Sequence, residues 1–241
     1  MIAQDQPTCF PNDVIARVSS REDGSMLDRT LDDRHHNSII VNRLQYCKKI
    51  GIDYQKCVYQ IINYGPENTF DRIVQLDSSQ SIDVHADVLY TEQPKVGLFL
   101  PIADCIGTII YDPTRKAIAL AHLGRHASVA DTIKKTIDFF TVKGSRPQDL
   151  IIWMAPSVGR KHYRMEYFDY HDDRKWRDFC QAKDGGFYLD LQGYNRARAV
   201  TCGVMPVNIH ASRIDTATDP NYFSHSQGDK SARFAVVAMI G

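Results

Sequence analysis

Apolar residues along this chain fall into short runs separated by turn residues, the pattern of a protein built largely from buried strands. Three such runs cluster in the middle of the chain: Val96 to Leu100, Thr108 to Tyr111 and Ala117 to Ala121, with Asp112-Pro113 turning the chain between the last two. The first run delivers Ala103-Asp104-Cys105 and the third delivers His122-Leu123-Gly124. Cys105 and His122 are therefore each expected where a strand emerges from the core. Further strands are predicted over Lys56 to Ile62, Asp71 to Asp77, Val88 to Thr91, Leu150 to Met154, Val207 to His210 and Phe234 to Ile240.

Between the strands the apolar period lengthens to that of a helix. Ile40, Leu44 and Cys47 predict one helix, capped by Asn37 and stopped by Gly51. Val129, Ile133, Ile137 and Phe140 predict a second, with Ser128 and Asp131 as a capping box and Gly144 as its end. The charged and aromatic stretch Tyr163 to Gln181 reads as a surface helix, and another helix runs through Ala197 and Val200 to Gly203. No repeat, linker or low-complexity segment interrupts the chain, so residues 1–241 read as a single α/β domain.

Composition narrows the function classes. Hydrophobic residues make up 43% of the chain and charged residues 24%, ordinary material for a globular core. The 29 basic side chains balance the 29 acidic ones, so no global field recruits nucleic acid or a membrane surface. No apolar run approaches the roughly 20 residues of a membrane helix. Met1 to Asp5 lacks the basic-then-apolar pattern of a signal peptide, and a cytoplasmic location is expected. The six cysteines are scattered and read as reduced thiols.

Chemistry is concentrated in two places. A polar bend carries Asp77, Asp83, His85 and Asp87, which are potential ligands or bases but also ordinary residues of a solvated turn. Cys105 alone reads as a packing residue and His122 alone as a structural histidine. Together, at two strand exits with Asp104 beside them, they read as a site where thiolate and imidazole converge, as they do on metals.

Ala103-Asp104-Cys105 followed by Ala121-His122-Leu123-Gly124 resembles the laccase-domain family, purine nucleoside phosphorylases once described as multicopper polyphenol oxidoreductases. That family carries Thr-Ala-Asp-Cys and then Ala-His-Ala-Gly-Trp-Arg-Gly, with the same seventeen-residue step from cysteine to histidine that separates Cys105 from His122. Asn42-Arg43, Ala86 to Pro94, Ala155 to Gly159, Asp190-Leu191 and Tyr222-Phe223-Ser224 resemble further family segments, so the likeness covers nearly the whole chain. It implies an α/β (α+β) sandwich of mixed β-sheets flanked by helices. It also implies a zinc ion (Zn2+) held by two histidines and a cysteine, phosphorolysis of purine nucleosides (adenosine, inosine, methylthioadenosine) and companion adenosine deamination. Multicopper oxidation needs many more histidines than the Cys105–His122 pair supplies.

The chain departs from the family pattern in three places. The family's first zinc histidine lies in Gln-Val-His-Gly, which aligns here with Gln75-Leu76-Asp77-Ser78. The expected metal ligands are therefore Asp77, Cys105 and His122, with His85 as the alternative third. The family's Trp-Arg-Gly becomes Arg125-His126-Ala127, and its two arginines after Phe-Ser become His225-Ser226. Arg21 and Arg125 are expected to replace those arginines, with Arg43 and His225 also assigned to substrate or phosphate.

The expected catalytic groups are Cys105, His122, Asp104 and His126, with His162 and His225 as further proton carriers. The partners implied are a small-molecule nucleoside and phosphate, with no nucleic acid or membrane, in a monomer or small homo-oligomer. The competing readings are a metal-free cysteine/histidine hydrolase or amidase acting on a peptidoglycan precursor, with Cys105 as nucleophile, and a non-catalytic nucleoside-binding protein.

Overall fold

The computed structural model describes residues 5–31, 33–77 and 82–241; Met1 to Gln4 and Ser78, used in the signal-peptide and zinc-motif readings, lie outside them. The strands in chain order are β1 (Val14–Val18), β2 (Cys57–Ile61), β3 (Ile73–Leu76), β4 (Asp83–His85), β5 (Val88–Thr91), β6 (Gly97–Ile102), β7 (Ile106–Asp112), β8 (Ala117–Leu123), β9 (Ile151–Met154), β10 (Arg164–Met165), β11 (Cys180–Lys183), β12 (Gly186–Leu189), β13 (Ile209–Ala211) and β14 (Phe234–Ile240). The α-helices are α1 (Asn37–Lys49), α2 (Arg125–Val129), α3 (Thr132–Val142) and α4 (Leu191–Thr201).

Two mixed sheets form the body. One has the order β1-β14-β6-β2-β4 and the other β13-β9-β7-β8-β5-β3, while β10-β12-β11 makes a small third sheet. Because side chains alternate along a strand, each central strand feeds two layers. In β14, Phe234, Val236, Ala238 and Ile240 join the core between the sheets, whereas Ala235, Val237 and Met239 pack with Tyr46 and Cys47 of α1. In β8, Ile118 and Leu120 face the inter-sheet core, and Ala117, Ala119 and Ala121 face Ile133, Ile137 and Phe140 of α3. The expected sandwich of mixed sheets flanked by helices is thus the observed fold, a single domain in four layers.

The inter-sheet approach is close at one point that matters for the site. A Cβ at Gly107 would lie 2.6 Å from Val236 Cγ2, so glycine lets β7 and β14 pack together beside Cys105.

Four local expectations need correction. In α1 the buried face is Ile39, Arg43, Tyr46 and Cys47, and Leu44 is exposed, because the apolar stripe is interrupted by a buried arginine. Ser128 lies inside α2, and α3 is capped at Asp131 in the left-handed region, with φ 59°, so Ser128 and Asp131 form no capping box. Tyr163 to Gln181 is turns and short strand rather than helix. There Phe168 and Trp176 are drawn into the core, the indole stacking on Tyr194 at 3.8 Å, and Asp173 turns the chain by accepting from Lys175 N–H. The polar bend contains β4, which pairs with β2.

Candidate functional site

Cys105 and His122 lie at one end of the inter-sheet layer. Cys105 immediately precedes β7, and His122 is paired with Gly107 near the end of β8. A Cβ at Gly124 would lie 2.8 Å from Cys105 Sγ, 3.1 Å from His122 Cε1 and 3.3 Å from His122 Nε2, so thiol and imidazole converge on that glycine. Burial, then the nearby Asp104 charge, pushes the Cys105 thiol up to about 12. Burial, then the charges of Arg29 and His126, lowers His122 to about 4. Both groups are neutral at neutral pH, the reverse of the activated thiolate that a cysteine hydrolase needs.

Asp104 holds this corner in place. It sits at φ 67°, and its carboxylate accepts from Thr216 Oγ1 at 2.8 Å, Ser226 N–H at 2.7 Å and Ser226 Oγ at 2.7 Å. A carboxylate so committed ties two distant loops to the Cys105 turn. It is a staple, with little freedom left for acid–base work.

Around the pair opens a cavity of about 760 Å³, within the range of small-molecule sites. Asp104, Cys105, His122, Arg125, His126, His162 and His225 all line it. One wall is aromatic: the His126 ring stacks on Phe70 at 4.5 Å, and Tyr64 stands edge-on to His122 at 6.4 Å and to His126 at 6.5 Å. The opposing chemistry is basic. Among the described residues, Arg29, Arg34, Arg125, Arg164, Lys230 and Arg233 line the cavity against two carboxylates, Asp28 and Asp104.

Arg233 is the most informative of these. It is 5% exposed, and among the described residues its guanidinium donates to the backbone carbonyls of Asp229, Lys230 and Ala232 alone. Burial and then the neighbouring Arg29 lower its pKa. Among the described residues neither Arg29 nor Arg233 has a carboxylate within ion-pairing distance. Arg29 instead lies over the Tyr64 ring at 5.4 Å. Arg233 is buried and Arg29 exposed, and guanidiniums that face a cavity with no carboxylate partner among the described residues make a seat for an anion.

Four of the expected residues lie elsewhere. Arg21 pairs with Asp229 at 2.7 Å and donates to the carbonyls of Pro220 and Tyr222, clamping the loop that carries His225. Arg43 is fully buried, donates to Met26 O, Arg34 O and the Tyr54 hydroxyl, and lies over Tyr59 at 4.1 Å. His85 is exposed on a separate, smaller hollow with Asn63 and Glu67. Asp77 is exposed and accepts from Gln75 Nε2.

Strand direction explains why Asp77 misses the site. β3 runs parallel to β5, with Ile73 beside Val88 and Leu76 beside Thr91. β5 runs antiparallel to β8, with Val88 beside Ala121 and Thr91 beside Ile118. Asp77 therefore leaves the sheet at the end opposite His122. It is β2 that delivers its last residues to the cavity: Ala86 N–H bonds Ile61 O, and the backbone carbonyl of the next residue, Asp87, accepts His122 N–H at 2.8 Å. Gln60, Ile61, Ile62 and Tyr64 line the wall. Gln60-Ile61-Ile62 thus repeats the Gln-Val-His order at the site, with isoleucine where the third ligand would stand.

Among the described residues, no group of three or more His, Cys, Asp or Glu side chains is disposed to hold a metal ion. Cys105 and His122 supply two donors, and a closed or catalytic zinc centre takes at least three from protein. The residues present do not fit the expected zinc centre, still less a multicopper cluster.

A sequence model of the multi-copper polyphenol oxidoreductase laccase family matches residues 23–241. The chain belongs to that family. A purine nucleoside phosphorylase of Xylella fastidiosa (strain Temecula1 / ATCC 700964) is 26% identical over 166 residues, covering 66% of this chain and 63% of that relative, short of two thirds of its length. Purine nucleoside phosphorylase YlmD of Bacillus subtilis (strain 168) is 24% identical over 221 residues, covering 84% of this chain and 77% of that one. The crystal structure of hypothetical protein YfiH from Bacillus licheniformis superposes with a TM-score of 0.81 at 22% identity, covering 95% of this chain and 94% of that one. The fold of this family member is that of the solved structure. Among its described residues, no helix is long and apolar enough to cross a membrane.

Sequence reasoning missed Arg29, Arg233, Tyr64, Phe70 and Asp215. Of these only Arg233 left a signal, an arginine directly before the last apolar strand. The others come from loops whose path no periodicity records.

Proposed function

We propose that this protein is a purine nucleoside phosphorylase acting on nucleosides such as adenosine, inosine and methylthioadenosine. One juxtaposition carries the reading: in a single cavity, the uncompensated guanidiniums of Arg29 and Arg233 accompany the aromatic wall of Tyr64, Phe70 and His126. Guanidiniums suit a phosphate dianion and an aromatic wall suits a flat base. In phosphorolysis a phosphate oxygen attacks the ribose carbon as the purine leaves, and holding both reactants in one cavity favours that attack by proximity and orientation. The relatives named as purine nucleoside phosphorylases support the same reading. Deamination by a zinc-bound hydroxide finds no support in the donor set and is not part of it. A cytoplasmic location stays part of the proposal.

The test is to incubate purified protein with each nucleoside, with and without inorganic phosphate, and follow release of free base. Phosphate-dependent release is expected, and its absence from all three sinks the reading. A binding-only role has one observation in its favour, the missing third donor beside Cys105 and His122. Saturable calorimetric binding of nucleoside and phosphate without turnover would select it.

A further inference from the structure

We infer that His162, held by Asp215, is the catalytic proton donor to the departing purine; this rests on the phosphorylase reading above. His162 stands on the loop after β9 and lines the same cavity as Cys105 and Arg233. Its Nδ1 lies 2.7 Å from Asp215 Oδ2. The other oxygen of Asp215 accepts from Gly159 N–H at 2.8 Å and Ala217 N–H at 3.0 Å, so the carboxylate is pinned on both sides. A Cβ at Gly159 would lie 2.4 Å from Asp215 Oδ2, which leaves that position to glycine. The next residue, Thr216, bonds Asp104 Oδ1 at 2.8 Å and so ties the pair to the Cys105 corner.

This arrangement is that of an oriented acid–base imidazole. Asp215 accepts from Nδ1–H whether the ring is neutral or protonated, which leaves Nε2 to give or take a proton. Among the described residues Nε2 makes no hydrogen bond, and the side chain is 36% exposed on the cavity wall. The other cavity histidines are placed differently. His126 is stacked and bonded to Arg125, His122 is buried against Cys105, and His225 is held below the ordinary imidazole range by burial and then by Lys230. Among the described residues none of them has a carboxylate within hydrogen-bond distance.

The step balances without a metal. The glycosidic C–N bond breaks with its electron pair going to the base, and the Nε2 proton of His162 passes to a ring nitrogen of the purine. An oxygen of HPO4(2−) forms the new C–O bond to the sugar. The proton that phosphate carried then restores His162, giving a sugar phosphate dianion and a neutral purine.

A nucleoside whose base is already cationic, such as 7-methylinosine, needs no such proton. The experiment compares inosine and 7-methylinosine phosphorolysis by wild type, H162Q and D215N, with thermal melts to confirm folding. H162Q is expected to lose about 100-fold or more in kcat on inosine, the usual scale for a general acid. Its KM should stay within about threefold and its rate on 7-methylinosine within about fivefold, since only proton transfer is removed. D215N, whose amide still accepts from Gly159 and Ala217, is expected to lose about 10-fold on inosine with the same selectivity, as a positioning residue. Inosine rates in H162Q within about twofold of wild type, or equal losses on both substrates in both variants, overturn the assignment while leaving the phosphorylase reading intact. Wild type that releases no base with phosphate overturns the reading itself and the dyad's role with it.

Discussion

Two strand ends in this molecule carry the same short pattern, glutamine then an apolar residue then a third residue, and only one of them reaches the site. At the end of β3 the pattern is Gln75-Leu76-Asp77, and its carboxylate is exposed. At the end of β2 it is Gln60-Ile61-Ile62, and it lines the cavity with Cys105 and His122. The first has a ligand without a site, the second a site without a ligand. A donor-like side chain at a strand end is therefore informative only when the direction of that strand in the sheet is known.

The comparison can be broken or sharpened by measurement. The largest effect concerns His122 as a buried imidazole at the β2 end. Its folded pKa of about 4 lies below the ordinary imidazole value of 6.5. Between those values the unfolded chain binds the proton that the folded protein refuses, so stability present above pH 6.5 is lost as pH falls toward 4. The loss should approach about 3 kcal/mol in denaturant titrations of metal-free protein and shrink in His122→Gln. A flat profile would mean that His122 is not held neutral.

Next comes the absent ligand. Ile62→His is expected to tighten zinc binding by about 100-fold or more in chelator competition, a gain abolished by adding Cys105→Ala. No gain would remove β2 as the ligand-bearing strand. A somewhat smaller change is expected at the anion seat: Arg233→Leu should raise the KM for phosphate by about 10-fold or more and leave the nucleoside KM within about threefold. The smallest effect belongs to the other strand end. Asp77→Ala and His85→Ala should change stability by less than about 0.5 kcal/mol and leave zinc affinity and turnover unaltered, as for exposed side chains remote from a site.

Two buried arginines show how far sequence reading carries. Arg43 and Arg233 are both nearly inaccessible. Arg43 satisfies itself on two carbonyls, a tyrosine hydroxyl and an aromatic face, and so knits α1 to the segment before it. Arg233 has backbone carbonyls alone and a cavity in front of it. Burial alone does not separate these fates. Arg21 and Arg125, chosen together for an anion, divide in the same way. Arg125 lines the cavity, and Arg21 is spent on Asp229 and a loop.

The sequence by itself determined the buried strands of this protein and the heart of its site. Apolar runs bounded by turn residues marked β6, β7, β8 and β14 as buried strands, and a tight turn between two of those runs obliged Cys105 and His122 to meet across the β7–β8 hairpin. Those are short-range consequences of period and turn chemistry. Tertiary structure alone decided which strands lie side by side, which way each runs and which loops close over their ends. These choices brought Ile62 rather than Asp77 to the cavity, turned Arg233 toward that cavity, and set His162 against Asp215. Periodicity encodes the face of a strand but not its direction or its neighbours, and those are fixed only when distant segments pack together.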